Sequence, residues 1–451
     1  MSDDLTRRDF AKLGAKLGLV GGVSVATSAG LSREAHAAPH VARALANPAD
    51  LPKAKGPRIV VIGGGWSGLT LAKYVKKAHP AADVVLIEKR STFVSHPIAN
   101  LLLAEMINLD RITYSFIDAA RNNDYIYLQA AAVDVDRSAR RVFTDRGWVD
   151  YDFLAIAPGI DYDYAAFGIK DAETRSALAT HYPAGFVHGS EHITLRNKVR
   201  AFKGGVFLLN PPPGIFRCSA TPYERACVIA AHIQKNKIAG KVVLIDPRPQ
   251  PEVKGEGFLA AFEELYPDTI EYITSTNISG IEVKDAGGVL FTDFDDIPFA
   301  DAAIYPRVRA ARLIEDLGLV DPASTRHEAN IDPITYQVVG DDRAFVTGDA
   351  RNHPFSKSAN AAYVEARYVA KVIVARLTGG ASVPWESPRT ICYSMVDPLK
   401  GEAIAIDTTY KRDKKTKEWG YQAVVQRNTR SKKIGDEGYA WADERLKDMF
   451  F

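Results

Sequence analysis

The chain has 451 residues, of which 46% are hydrophobic and 25% charged, and its formal net charge is +2. This length and composition predict a globular protein of two or three domains. The near-neutral charge argues against both nucleic-acid binding and a polybasic membrane anchor. Beyond the N-terminal segment no apolar run is long enough to span a bilayer, so we expect no transmembrane anchor.

Residues 1–37 have the pattern of a targeting segment. The stretch Thr6–Lys12 (TRRDFAK) resembles the twin-arginine signal. A glycine-rich apolar run follows, and Ala35-His36-Ala37 provides a small-residue cleavage site. Because the Tat route exports folded proteins, we expect the mature protein in the periplasm; the alternative is a basic N-terminus without a targeting role. The Ala/Pro-rich residues 38–56 are expected to form a linker or arm.

A dinucleotide-binding βαβ unit is predicted at residues 58–88. The apolar run Arg58–Ile62 leads into a GxGxxG turn and a helix, and a second apolar run ends in an acid. Glycines let the backbone approach a pyrophosphate at the helix N-terminus, and the acid would accept the ribose hydroxyls. The alternative is a glycine turn in another kind of βαβ unit. The predicted cofactor contacts of this unit are Gly63, Gly65, Trp66, Ser67, Gly68, Glu88 and Lys89.

The next stretch is predicted to complete the first part of this domain. A helix is expected at 101–106, and short strands at 125–129 and 142–144. The apolar strand Phe153–Ile156 ends at a small-residue turn that includes Ala157 and Gly159. This turn resembles the crossover by which two-dinucleotide-domain flavoproteins leave the FAD domain, so both residues are predicted to lie near the cofactor.

A second series of alternating strands and helices is predicted from residue 190. Helices are expected at 190–202, 221–235 and 256–265, and strands at 205–210, 241–246 and 269–273, which favours a parallel sheet. Its first turn contains Pro211-Pro212-Pro213 where a nicotinamide-binding domain needs glycines. Prolines offer no N–H groups to a phosphate. This domain is therefore expected to keep the dinucleotide fold without binding NAD(P).

Near residue 312 the chain is expected to return to the first domain. A strand there ends in Gly348-Asp349, and an alanine-rich helix is predicted at 356–377. A strand–GD–helix element is a second FAD signature, in which Asp349 would hydrogen-bond the ribityl chain or a phosphate. The alternative is an ordinary helix cap. With the first motif and the proline-rich turn, this element favours FAD as the cofactor. No metal site is predicted.

The predicted fold class is α/β, with two Rossmann-like domains of the glutathione-reductase type and a C-terminal α+β interface domain. The tail alternates strand-like runs with charged turns and closes on a short helix at 439–449. The expected boundaries are 57–171 for the first part of the FAD domain, 172–312 for the second dinucleotide-type domain, 313–385 for the rest of the FAD domain, and 386–451 for the tail.

Taken together, these motifs resemble the flavoprotein subunit of flavocytochrome c sulfide dehydrogenase, with sulfide:quinone oxidoreductase as a more distant relative. The specific signal is PPPGIFRCSATPYER at 211–225 combined with a distant Cys392-Tyr393-Ser394. The resemblance implies that Cys218 and Cys392 form a redox-active disulfide, which sulfide attacks to give a persulfide and a thiolate that passes two electrons to the flavin. The alternatives are a stabilising disulfide and two unrelated thiols.

The resemblance also implies a partner and further site residues. Since the chain has no CxxCH motif, the c-type cytochrome subunit of a heterodimer would be a separate polypeptide. Glu224 would move a proton near the disulfide, unless it is an exposed helix residue paired with Arg225. Cys227 is interpreted as a packed thiol. His96 stands where the family has a cysteine bonded to the flavin, so the FAD is either linked to this histidine or held noncovalently.

The predicted function is therefore FAD-dependent oxidation of sulfide, or a related small sulfur nucleophile, with electrons passed to a c-type cytochrome. One alternative is a sulfide:quinone oxidoreductase, which would favour a pair of amphipathic C-terminal helices where this chain offers one short candidate. Another is a non-catalytic FAD-binding electron-transfer partner, against which the two cysteines argue. The proline-rich turn disfavours an NADH-dependent reductase.

Overall fold

The computed structural model of the chain describes residues 45–165, 168–187, 189–284 and 286–451. The predicted targeting segment and the beginning of the predicted linker lie outside the described residues. The rest of the linker packs as an arm along Trp148. The Trp148 N–H donates to the carbonyl of Asn47, and the Ala49 N–H donates to the carbonyl of Trp148, both at 2.9 Å.

The strands of the first half of the chain are β1 (Arg58–Ile62), β2 (Asp83–Glu88), β3 (Thr92–Val94), β4 (Thr113–Ser115), β5 (Ile126–Gln129), β6 (Ala132–Asp136), β7 (Arg141–Thr144), β8 (Gly147–Asp150), β9 (Phe153–Ile156), β10 (Ile160–Asp163) and β11 (Gly204–Leu209). The strands of the second half are β12 (Ala239–Ile245), β13 (Ile270–Ile273), β14 (Ile278–Val283), β15 (Gly288–Thr292), β16 (Asp296–Phe299), β17 (Asp301–Ala303), β18 (Arg307–Ala310), β19 (Ala344–Val346), β20 (Thr390–Asp397), β21 (Glu402–Arg412) and β22 (Trp419–Ser431).

The α-helices are α1 (Trp66–Ala78), α2 (Asn100–Leu103), α3 (Phe116–Asn122), α4 (Ala172–His181), α5 (Ser190–Ala201), α6 (Thr221–Lys235), α7 (Gly255–Leu265), α8 (Arg312–Asp316), α9 (Ala359–Leu377) and α10 (Lys432–Phe450). Short 3₁₀ turns lie at Leu109–Ile112 and Gly348–Ala350.

The first sheet is built on the GxGxxG unit. Its strand order is β19-β9-β1-β2-β5, and every pair in it is parallel. The strands β1 and β2 read as continuous apolar runs because both faces of the sheet are covered, and the side chains of 59–61 and 84–87 are at most 1% exposed. The helices α1 and α9 pack against each other, which brings the two predicted FAD motifs together.

The second parallel sheet repeats the topology of the first. Its order is β13-β12-β11-β17, in which β11 and β12 take the places that β1 and β2 have in the first sheet. In each case a three-stranded antiparallel sheet follows, β6-β7-β8 in the first and β14-β15-β16 in the second. The α/β fold class with Rossmann-like sheets, predicted from the sequence, is confirmed.

Two antiparallel strands join the two halves. The strand β10 leaves the first sheet after the turn at Gly159, and it pairs with β18, where the chain comes back. The predicted domain boundaries stay predictions. None of the helices in the described ranges is both long and apolar enough to cross a membrane.

The tail forms the antiparallel sheet β20-β21-β22 and the helix α10. This helix is longer than the predicted 439–449, because the Ser431 hydroxyl caps its N-terminus by accepting from the Ile434 N–H. It packs against β20 and β21 on one side and against α1 on the other. The helix predicted at 101–106 is shorter than expected and ends at Leu103, since Glu105 adopts a φ of 59° that a right-handed helix cannot contain.

Candidate active site

A cavity lies where the two halves of the chain meet the tail, and it contains about 780 Å³ of empty space including its mouth. The first domain contributes His96 and Ser358, the N-cap residue of α9. The second contributes Cys218 and Glu224, and the tail contributes Cys392. Tyr439 and Trp441 of α10 form part of the wall. The cavity therefore gathers the predicted cysteine pair and the predicted acid from distant parts of the sequence.

Cys218 follows the proline-rich turn at the start of the loop before α6. Its φ of 51° is unusual for a residue with a side chain. Backbone hydrogen bonds hold this conformation: the Cys218 N–H donates to the Lys357 carbonyl and the Thr221 N–H donates to the Cys218 carbonyl, both at 2.8 Å. Burial raises the pKa of the Cys218 thiol to about 12, against the opposing effect of the Arg217 guanidinium. The thiol is fixed at the cavity wall in its neutral form.

Cys392 lies on β20, where it pairs with Ile406 of β21. It is partly exposed, as is Cys218, and both sulfurs are unbonded. The Nζ of Lys254 lies 3.3 Å from the Cys392 Sγ. Both cysteines line the cavity, and the disulfide between them stays a prediction. Cys227 is different, since it is fully buried among apolar side chains of α6.

Glu224 lies in the first turn of α6 and its carboxylate is held from two sides. The Asn100 side-chain amide donates to Oε2 at 2.7 Å, and the Met395 N–H donates to Oε1 at 2.8 Å. Burial raises the pKa of Glu224, although these two hydrogen bonds and the charge of Lys254 act in the opposite direction. The alternative of an exposed residue paired with Arg225 is not what the structure shows, because Arg225 donates instead to Asn100 and to two carbonyls.

His96 is buried near the entrance to α2, with its ring against Phe186 at a centroid distance of 4.9 Å. Its Nδ1 lies 3.4 Å from the Nε2 of His192. Burial and the nearby arginines lower the pKa of His192 to about 3, so this partner is neutral. His96 also lines the cavity, and its predicted role toward the flavin stays a prediction.

The glycine turn has the shape that a dinucleotide requires. A Cβ on Gly63 would lie 2.3 Å from the Ala157 carbonyl oxygen, and a Cβ on Gly68 would lie 1.8 Å from the Gly63 carbonyl oxygen. Both positions therefore need glycine for backbone packing. A Cβ on Gly65 or Gly159 would meet nothing within 4 Å. The space beside Gly65 lies at the N-terminus of α1, where a pyrophosphate is expected.

The remaining predicted residues surround this turn. Glu88 accepts from the Gly64 N–H at 2.8 Å and from the Arg90 N–H at 3.0 Å. Lys89 is exposed. Ser67 donates to Thr347 beside the GD turn at 2.6 Å, and Trp66 is buried in a stack on Trp441.

The GD element lies beside the glycine turn, and its acid already has a cationic partner. Gly348 adopts a φ of 70°, and a Cβ there would lie 3.2 Å from the Ser67 Cβ. The Oδ2 of Asp349 lies 3.1 Å from the Arg217 Nε in an ion pair that is nearly buried. Asp349 thus connects the FAD motif to the residue preceding Cys218. Its contact with a ribityl chain or phosphate stays a prediction.

In the second sheet, the acid and the turn that correspond to those of the first sheet make internal contacts, and the absence of NAD(P) stays a prediction. Asp246 directly follows β12, near the place that Glu88 has at the end of β2, but it is 0% exposed. Its carboxylate accepts from the hydroxyls of Tyr223 and Tyr272 and pairs with Arg248 at 3.0 Å. Arg248 also donates to the carbonyls of Pro212 and Gly214, both at 2.7 Å. Internal contacts therefore occupy the acid and the turn that would hold the ribose and phosphates of NAD(P).

These residues fit FAD. The space at Gly65, the acid Glu88, and the starts of α1 and α9 provide a cradle for the dinucleotide in the first domain. Bound there, FAD would supply two-electron redox chemistry beside the cavity that holds Cys218 and Cys392. Among the described residues, no cluster of three or more His, Cys, Asp or Glu side chains could hold a metal ion.

Fold and site together define a flavoprotein oxidoreductase with two Rossmann-like domains. Two family models match the chain: residues 57–182 match pyridine nucleotide-disulphide oxidoreductase, and residues 193–304 match the central domain of the sulfide dehydrogenase (flavocytochrome c) flavoprotein chain. The chain is therefore similar to the sulfide dehydrogenase flavoprotein over its central segment and to pyridine nucleotide-disulphide oxidoreductases over its first segment, and the resemblance predicted from the sequence is confirmed.

Individual relatives cover much of the chain at low identity. A type II NADH:quinone oxidoreductase from Staphylococcus haemolyticus (strain JCSC1435) is 25% identical over 85% of this chain and 97% of its own. A sulfide-quinone reductase from Aquifex aeolicus (strain VF5) is 24% identical over 59% of this chain and 62% of its own. The crystal structure of the sulfide:quinone oxidoreductase from Aquifex aeolicus has a TM-score of 0.70 at 16% identity and covers 88% of this chain and 92% of its own, which shows a common fold.

Sequence reasoning missed three functional neighbours. His192 and Lys254 lie in stretches without a motif and meet their partners, His96 and Cys392, only through the tertiary fold. Arg217 stands inside the FRC segment that carried the resemblance, so the sequence already showed that it precedes Cys218. The sequence did not predict its ion pair with Asp349.

Proposed function

We propose that this protein oxidises sulfide, or a related small sulfur nucleophile, at the Cys218–Cys392 pair, and passes the electrons through FAD to a c-type cytochrome on a separate polypeptide. The observation that supports this most strongly is the convergence of two cysteines from different domains on one cavity beside the FAD cradle. The match of residues 193–304 to the sulfide dehydrogenase flavoprotein points to the same substrate class.

The residues of the cavity account for the chemistry of the first step. In the oxidised protein, HS⁻ attacks one sulfur of the disulfide, the S–S bond breaks, and the products are a cysteine persulfide and a cysteine thiolate. No outside oxidant is consumed in this exchange. Glu224, whose pKa is raised by burial, can accept the proton of H2S as it is converted to HS⁻. For the disulfide to form again, the outer sulfur of the persulfide leaves at the oxidation level of elemental sulfur, one proton is released, and two electrons are given up. FAD, when bound, would supply the acceptor for these two electrons.

The sealed second domain argues against NADH as the electron donor. Although a type II NADH:quinone oxidoreductase is among the relatives, Asp246 is fully buried and Arg248 donates to the carbonyls of Pro212 and Gly214 in the turn. A dinucleotide could not displace these contacts without leaving two tyrosine hydroxyls and an arginine without their partner. These contacts support entry of the reductant at the cysteine cavity instead.

A quinone is the second candidate for the electron acceptor. The sulfide:quinone oxidoreductase of Aquifex aeolicus has the same fold, and the cavity wall includes the aromatic side chains of Tyr439 and Trp441. We favour the cytochrome because of the family match in the central domain. We also propose a periplasmic location, reached through the twin-arginine signal at Arg7-Arg8.

Anaerobic titration of the purified protein tests this function. Sulfide is expected to bleach the flavin absorbance, while NADH leaves it unchanged. Reduced protein is then mixed separately with a c-type cytochrome and with a short-chain quinone, and faster oxidation by the cytochrome is expected. Bleaching by NADH but not by sulfide would refute the proposal, as would a Cys392→Ser variant that sulfide reduces as fast as the unaltered protein.

A further inference from the structure

Lys254 is a fully buried lysine whose ammonium group reaches the sulfur of Cys392. The residue directly precedes α7, has 0% exposure, and adopts a φ of 57°. Its Nζ lies 2.7 Å from the Ser394 Oγ, 3.3 Å from the Cys392 Sγ and 3.4 Å from the Cys392 carbonyl oxygen. The Lys254 N–H donates to the Gln426 side chain at 2.7 Å, so both its main chain and its side chain are fixed to the tail sheet.

The surroundings of this ammonium group lack a close anion. In the ranges that the structure describes, the Lys254 Nζ has hydrogen bonds to the Ser394 Oγ, the Cys392 Sγ and the Cys392 carbonyl, none of which is a carboxylate. The charge of Lys254 also acts on Glu224. A buried cation is costly unless an anion accompanies it. Its hydrogen-bond acceptors are a hydroxyl, a carbonyl and a sulfur, and of these only the sulfur of Cys392 would receive negative charge when a disulfide is opened.

We propose that Lys254 is a catalytic residue that stabilises the thiolate of Cys392, and that sulfide consequently attacks the sulfur of Cys218. This inference rests on the proposed function. In the step, the sulfur of HS⁻ bonds to the Cys218 Sγ, the bond between Cys218 and Cys392 breaks, and the electron pair of that bond goes to the Cys392 Sγ. The products are a Cys218 persulfide and a Cys392 thiolate next to the Lys254 ammonium, so atoms and charge balance.

The environment of Cys218 supports the same direction. Burial raises the pKa of Cys218 to about 12, which makes a thiolate there unfavourable. The cation beside it, Arg217, is already engaged with Asp349 and with the Phe186 carbonyl. In thiol–disulfide exchange the better-stabilised thiolate is the better leaving group. Cys392 is therefore the sulfur released, and Cys218 keeps the incoming sulfur.

The test determines which cysteine carries the persulfide. Oxidised holoprotein is mixed anaerobically with one equivalent of sulfide, quenched at once with iodoacetamide, and digested for mass spectrometry. In the unaltered protein we expect persulfide on Cys218 over Cys392 by about tenfold or more, as a hydrogen bond to a charged group typically provides. Lys254→Met and Lys254→Gln should bring the ratio toward about 1:1, and Lys254→Arg should restore it. Lys371→Met, which alters a lysine paired with Glu386 at the surface, is the matched control.

The outcomes separate this inference from the proposed function. If the persulfide forms mainly on Cys392 in the unaltered protein, the proposed role of Lys254 is overturned, and no variant is needed to show it. An unchanged ratio in a folded Lys254→Gln protein overturns it as well. If sulfide modifies neither cysteine, the proposed function fails; sulfite, which opens disulfides to an S-sulfonate and a thiolate, then tests Lys254 alone. The inference is supported if the S-sulfonate forms mainly on Cys218 in the unaltered protein and on both cysteines about equally in Lys254→Gln. It is refuted if the S-sulfonate forms mainly on Cys392 in the unaltered protein.

Discussion

Two glycines of the same turn are expected to fail for different reasons when each is changed to alanine. At Gly68 the new Cβ would lie 1.8 Å from the carbonyl oxygen of Gly63. At Gly65 the new Cβ would meet no protein atom within 4 Å, and the φ of −75° is one that alanine adopts freely. The space beside Gly65 is where the cofactor phosphates are expected.

The size of each effect follows from this geometry. In Gly68→Ala the Gly63 carbonyl would have to move by about 1.2 Å to reach the shortest contact that real Cβ atoms show, 3.0 Å. The Gly63 N–H is bonded to the Ile87 carbonyl at 2.8 Å, so this loop resists the shift. We expect a loss of about 3 kcal/mol or more in the free energy of unfolding. Gly65→Ala replaces a helix N-cap glycine, which costs at most about 1 kcal/mol.

The assay compares thermal unfolding of the FAD-free proteins with their FAD content after reconstitution. The melting temperature of apo Gly68→Ala should fall by about 5 °C or more, and that of apo Gly65→Ala should stay close to the unaltered value. Both variants should bind little FAD. A Gly65→Ala protein that retains FAD like the unaltered protein would show that the phosphates do not lie beside this residue.

Three further predictions concern buried polar groups. Burial raises the pKa of Glu224 above 4.5, so the folded state holds this proton more tightly than the unfolded state. The free energy of unfolding should therefore fall as the pH rises from about 4.5 through the folded pKa. Urea titrations over this pH range should show a smaller fall for Glu224→Gln. If FAD is bonded to His96, acid precipitation leaves the yellow colour on the polypeptide and His96→Ala releases it, whereas release from the unaltered protein means noncovalent binding. Arg351 and Glu365 form an ion pair with two hydrogen bonds, and each side chain is 1% exposed. Arg351→Met should lower the free energy of unfolding, measured with denaturant, by about 3–5 kcal/mol because it leaves Glu365 buried without its partner. The double variant with Glu365→Leu should regain most of this loss.

Local sequence signals predicted the elements that carry the cofactor motifs. The helix at Thr221–Lys235 begins and ends as predicted, and the strand at Arg58–Ile62 leads into its glycine turn as the motif requires. These features depend on short-range periodicity and on glycine and proline geometry, both of which can be read from neighbouring residues. The helix at 432–450 was underestimated because its first turns lack an apolar pattern, although Ser431 caps it.

The site could be predicted only in part, because its polar partners come from distant positions. The resemblance placed Cys218 and Cys392 in one site, and the cavity contains both. The contact between Lys254 and Cys392 joins positions 138 apart in the sequence, and no local pattern marks it. In the same way, the arginine that pairs with Asp349 comes from the second domain. Such contacts follow from how the sheets and the tail are packed.

The position of α10 has a consequence for how the protein is made. Trp441 stacks on Trp66, the first residue of the cofactor-binding helix, and Leu446, Met449 and Phe450 belong to the core of the first sheet. Lys73 on that helix bonds a carbonyl 375 positions later in the chain. During translation the glycine turn leaves the ribosome long before its covering helix. Firm retention of the cofactor should therefore begin only after the residues of α10 have left the ribosome, so the cofactor is expected to be held late relative to the synthesis of its own glycine motif.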